Sequence, residues 1–178
     1  MRSQASKIAF CGLIIALSMV FMMFTFMPNL TYALPALAGV MLVMVVIEVS
    51  IKFAFVSYLA VVILSIIIAP DKFSVLLYAL FFGYYPILKA LFEKAKSSLN
   101  MWIYKIISFN IVIVLIYFLA IWLLNLQDNK LIQYAQSPIG AGILLAANIV
   151  FVIYDLAIDN VIGLYIRRMH NIVKKSFK

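Results

Sequence analysis

What the chain lacks narrows its chemistry first. Cys11 is the only cysteine in 178 residues, and His170 is the only histidine. A lone thiol builds no disulfide framework and no thiolate metal cluster. One imidazole leaves no His-rich metal site and little scope for a His-based triad. Acidic residues number 6 against 14 lysines and arginines, and charged residues make up only 11% of the chain. A soluble domain carries about 25%. No phosphate-binding glycine loop, zinc-protease motif or Gly-x-Ser-x-Gly elbow occurs. Asp155 and Asp159 stand outside the Asp-rich, Gly- and Arg-containing pattern of phosphatidyl-transferring membrane enzymes. The expectation is a chain that is not an enzyme and holds no metal or cofactor.

What is present is apolar. Hydrophobic residues reach 67% and the mean hydropathy is +1.17. A domain this small leaves a large share of its surface outside any core, so that excess has no place in water. The expected fold class is all-α: a polytopic membrane protein forming a single transmembrane domain over residues 1–178. A bilayer core of about 30 Å needs roughly 20 helical residues per crossing. Six spans fit, at about 8–26, 34–47, 53–68, 73–88, 101–124 and 139–166. The first apolar run exceeds the 7–15 residues of a cleaved leader and reads as a retained span. Residues 34–69 as one helix would be about 54 Å long, too long for one crossing, so they fold back around Glu48, Ser50 and Lys52. In span four, Gly83-Tyr84-Tyr85-Pro86 predicts a kink, because proline has no N–H to donate.

The net charge of +8 would raise the question of nucleic acid in a soluble protein. Here the cations cluster at helix ends, which the positive-inside rule explains without such a partner. With both termini in the cytoplasm, the inner side collects Arg2, Lys7, Lys52, Lys89, Lys94, Lys96, Lys105, Arg167, Arg168, Lys174, Lys175 and Lys178. The outer side keeps only Lys72 and Lys130. Interfacial aromatic belts are expected from Phe73, Trp122 and Tyr134 outside, and from Trp102, Tyr104 and Tyr165 inside.

Polar groups inside the spans are the candidate functional residues. Asp155 and Asp159, four apart, share one helix face, with Asn148 close to it. Carboxylates in hydrocarbon are costly and rarely idle. They read either as a proton or cation relay or as ion-pair partners of Lys52, Lys89 or Lys105. Asn110 and Asn148 fall near mid-bilayer, where they either bond each other or line a polar cavity. In span one, Ala5, Ala9, Gly12 and Ala16 form a narrow stripe of small side chains. Such a stripe lets helix backbones approach closely, either to dock another membrane subunit or to pack against the chain's own helices.

Six short spans, both ends inside, and the basic start Lys7-Ile8-Ala9-Phe10-Cys11-Gly12-Leu13 followed by a basic tail together resemble the substrate-binding S component of energy-coupling factor transporters. In that family the first span carries an Ala-x-x-x-Ala motif that docks on the transmembrane coupling subunit. Ala5-Ser6-Lys7-Ile8-Ala9 matches it, and Gly12 with Ala16 continues it with a glycine substitution. The resemblance implies a vitamin or other micronutrient captured from outside, in a pocket between the outer loops and spans four to six. It also implies ATP hydrolysis by partner ATPase subunits, and a bacterial cell membrane as the location. The substrate-binding residues expected are Asn29, Tyr32, Tyr78, Asn110 and Asn148, holding a mostly uncharged or aromatic solute. Two rival readings stay open: a non-transporting assembly subunit of a membrane complex, and a proton- or cation-coupled carrier using Asp155 or Asp159.

Overall fold

The computed structural model describes residues 4–27, 29–93, 98–124, 133–134, 137 and 139–168. Of the residues weighed above, Arg2, Lys94, Lys96, Lys130, His170, Lys174, Lys175 and Lys178 lie outside them. All regular structure among the described residues is helical. The helices are α1 (Gln4–Met23), α2 (Ala33–Glu48), α3 (Ile51–Ile68), α4 (Lys72–Leu77), α5 (Tyr85–Phe92), α6 (Ser98–Trp122) and α7 (Gly140–Arg168). A 3₁₀ turn, Phe24–Phe26, extends α1, and a π-helical turn, Tyr78–Phe82, joins α4 to α5. Among the described residues, five segments are long and apolar enough to cross a membrane: Gln4–Phe26, Ile51–Ile68, Lys72–Phe92, Leu99–Trp122 and Gly140–Arg168. Helix α2 is shorter, at 16 residues.

The breaks follow local chemistry. Ser50 takes an extended conformation and its hydroxyl accepts from the Phe53 amide at 3.4 Å, capping α3 two residues after α2 ends. That is the fold-back expected near Glu48, Ser50 and Lys52. Asp71 caps α4 through Phe73 N at 3.0 Å and accepts from Ser74 Oγ at 2.6 Å. Lys72 turns back to donate to Ile66 O and Ala69 O at 2.7 and 2.9 Å, satisfying carbonyls at the α3 C-terminus.

Span four is not one continuous α-helix. The Gly83 amide bonds to Tyr78 O, five residues back, at 2.8 Å. Three residues later Pro86 has no N–H for Phe82 O, the carbonyl four residues before it. That carbonyl abuts Gly39 of α2, where an added Cβ would lie 2.1 Å from Phe82 O. Only glycine admits the approach. Tyr58 of α3 donates to Ala79 O at 2.7 Å, so the distorted turn keeps another of its carbonyls satisfied.

Two apolar clusters form around this turn. One joins α1, α2 and α3 with the α4 segment, around Ile14, Met22, Leu42, Val45 and Val61. The other is aromatic and joins α2 and α5 to α6 and α7. Phe109 and Phe151 stack at 4.4 Å, and Phe81 lies 5.2 and 5.8 Å from them. Hydrogen bonds mark the two ends of the bundle. Ser74 Oγ donates to Thr31 O at 2.9 Å, bringing the α4 start to the α1–α2 connection. Tyr165 donates to Glu48 at 3.1 Å, bringing α7 to the end of α2. Tyr165 is therefore buried, not part of an exposed aromatic belt. Trp122, 82% exposed, suits the belt expected on the other side.

Candidate functional site

The polar interior centres on Asp155. Helix α7 carries it to full burial, and α5 and α6 bring Lys89 and Lys105 to it, also buried. Lys89 Nζ lies 2.5 Å from Asp155 Oδ1, and Lys105 Nζ lies 2.7 Å from Oδ2. The Tyr85 hydroxyl donates to Oδ1 at 2.6 Å. Lys89 also reaches Asp159 at 2.8 Å and Glu93 at 3.4 Å, both of them half-exposed carboxylates. Lys105 lies 5.1 Å from the centre of the Trp102 ring, within cation–π range. One carboxylate thus bridges two ammonium groups, and α5, α6 and α7 are tied together at a single point. Two of the three lysines offered by the sequence take part; Lys52 is exposed and is not among Asp155's partners.

Asn110 of α6 and Asn148 of α7 bond each other reciprocally, at 2.9 and 3.1 Å. Each amide also donates to the carbonyl four residues back, Ile106 O at 2.8 Å and Leu144 O at 2.9 Å. Both N–H bonds of each side chain are used. From Asn110 and Asn148 toward the other end of α6 and the start of α7, a groove of about 310 Å³ lies between the two helices, lined by Ile113, Tyr117, Phe118, Gly140, Ile143 and Ala147 among others. It is almost wholly apolar. A smaller cavity of about 140 Å³ lies between α2, α5 and α7, with Lys89 and Glu93 in a wall otherwise formed by residues such as Val43, Ile47 and Ile158.

The five expected substrate-binding residues do not meet in one cavity. Asn29 is exposed, with positive φ of 71° in the turn between α1 and α2. Tyr32, 45% exposed, packs edge-on against Phe73 at 6.1 Å. Its half-burial, with Asp71 nearby, pushes its phenol above the ordinary value. Tyr78 is fully buried in the cluster shared by α1, α2 and α3. Asn110 and Asn148 bond each other and are not among the residues that line the α6–α7 groove. Sequence reasoning passed over Tyr85 as a binding partner, although its spacing of four from Lys89 puts both on one face of α5. It also passed over Gly39, whose need appears only when Phe82 O is placed against it.

The small-residue stripe of α1 faces outward. Ala5, Ala9, Gly12 and Ala16 are all exposed, and a Cβ added at Gly12 would meet nothing within 4 Å. The buried face of the same helix is a different one, carrying Phe10, Cys11, Ile14, Ser18 and Met22. The stripe is therefore not spent on packing inside the chain. Among the described residues no group of His, Cys, Asp and Glu is arranged to hold a metal ion. With this geometry in place, comparison with family models, curated proteins and solved structures finds no match.

Proposed function

We propose that the chain is a multi-pass, solute-binding membrane subunit that docks through α1 on a transmembrane coupling subunit, in the manner of an S component of an energy-coupling factor transporter. The observation that carries this reading is the outward stripe Ala5, Ala9, Gly12 and Ala16, open to a partner helix along its whole length. Small side chains favour close helix–helix contact in lipid, where there is little hydrophobic drive between apolar faces. In this reading the chain crosses a bacterial cell membrane six times with both ends inside. The solute is a vitamin or other micronutrient, and partner ATPases supply the energy. The apolar groove between α6 and α7 supports the reading, since spans five and six are among those the resemblance expects to form the pocket.

The test is assembly. Expressed with coupling and ATPase subunits of the same organism, the chain should co-purify with them. Gly12→Leu should reduce the recovered complex at least tenfold, while the isolated variant keeps its thermal midpoint. Unchanged recovery overturns the docking reading. A carrier shuttling a proton on Asp155 has weaker support, because that carboxylate is already held by two ammonium groups and a phenol.

A further inference from the structure

We propose that the phenols of Tyr78 and Tyr154 hold a water molecule inside the bundle, at a site for a small uncharged group that both accepts and donates hydrogen bonds. Both hydroxyls are shut off from solvent, and neither has a hydrogen-bond partner among the described residues. Tyr78 is fully buried on the π-helical turn, and Tyr154 comes from α7. The Tyr78 hydroxyl is within electrostatic reach of both Tyr154 and Tyr58. A phenol is donor and acceptor at once. In a protein surrounded by hydrocarbon, a polar group without a partner has no bulk water to fall back on, so two such orphans would be a large loss of stability.

A buried water needs two to four polar partners and makes about three hydrogen bonds. This corner supplies them. The Tyr78 and Tyr154 hydroxyls can both donate to the water. The Tyr58 hydroxyl spends its proton on Ala79 O at 2.7 Å, which leaves its oxygen free to accept one from the water. The Tyr58 and Tyr78 rings lie 6.3 Å apart, and Phe82 packs at 5.2 Å against Tyr154, holding the third phenol at the same turn. Gly83 lets the rings close: a Cβ there would lie 2.7 Å from Tyr58 Cδ2 and 2.8 Å from Tyr78 Cε1. A charged guest does not suit the place. Asp155, the residue next to Tyr154, is already paired with Lys89 and Lys105. The water would join α3, the π-helical turn and α7, three elements with no direct hydrogen bond between Tyr78 and Tyr154 to link them.

The experiment compares the full chain with Tyr78→Phe, Tyr154→Phe and the double variant, by thermal midpoint in one detergent. A shared water predicts that each single change lowers the midpoint by roughly 2–4 °C, with the double variant no worse than the worse single. Orphan hydroxyls predict the opposite: each change leaves or raises the midpoint and the effects add. That result overturns the site. Water-to-ring magnetisation transfer in bilayers gives a second readout on the unaltered protein, independent of whether a variant folds. Contact is expected at both tyrosines, and its absence at both also overturns the proposal.

Discussion

At the scale of single residues, the same charge counts differently according to its surroundings. Asp155 is buried between two buried lysines, whereas Asp159, four residues on, is 48% exposed and touches only one of them. Removing one partner of a buried ion cluster leaves charge without compensation and typically costs about 3–5 kcal/mol. Asp155→Ala strands both Lys89 and Lys105 and is expected to cost that much in equilibrium unfolding. Asp159→Ala is expected to cost under about 1 kcal/mol, as for exposed pairs. Equal losses at the two positions would contradict the geometry. The asparagine pair makes a different prediction. Asn110→Leu or Asn148→Leu alone orphans the surviving amide and is expected to cost about 1–2 kcal/mol, while the double variant regains most of it. Much of this chemistry is legible in the sequence: acids four apart, lysines at matching depth, and two mid-span amides able to meet. The difference between Asp155 and Asp159 is not, since spacing gives both the same face. Lys89 serves both acids; the difference is made by Lys105 and Tyr85, which reach Asp155, and the placing of Tyr85 depends on a backbone distortion upstream.

At the scale of elements, that distortion lies in residues 78–86. Gly83, Tyr84, Tyr85 and Pro86 announce a break, because proline withholds a donor and glycine withholds a side chain. The π-helical turn before them is written in no local pattern. It depends on Tyr58 arriving from α3 to donate to the Ala79 carbonyl and on Gly39 arriving from α2 to make room for Phe82 O. Gly39→Ala is therefore expected to destabilise the protein by about 1–3 kcal/mol, as overpacking against a rigid neighbour does. Phe82 O is backbone and cannot swing aside as a flexible side chain would. Gly12→Ala is the control: its Cβ enters open space on α1, and alanine is the better helix former by about 1 kcal/mol in soluble hosts. The isolated Gly12→Ala protein should keep or slightly raise its midpoint. Thermal unfolding of both variants in one detergent checks the contrast, and a loss at Gly12 matching that at Gly39 would defeat it.

At the scale of the whole molecule, α2 decides how many times the chain crosses. Its 16 residues span only about 24 Å, less than the roughly 30 Å of a typical hydrocarbon core. Charge counting treats it as a crossing because Lys52 then joins the basic side and Lys72 the other. The hydrogen bonds support the same reading from a separate direction. Ser18 Oγ donates to Ala38 O at 3.1 Å and Ser65 Oγ to Met19 Sδ at 3.4 Å, so α2 begins and α3 ends at the level where α1 ends. Ser74 then meets Thr31 at that same end. A re-entrant α2 would need α3 to finish on the opposite side from the α1–α2 connection, breaking that contact. Cys11 is buried and is the only native thiol, so a Cys11→Ser background gives clean single-cysteine mapping. A cysteine at position 72 is expected to react with a membrane-impermeant maleimide on intact cells. Cysteines at positions 52 and 168 should react only after permeabilisation. Labelling of position 72 only from the inside would mean that α2 does not cross, and would move α3 and every later helix to the reverse orientation.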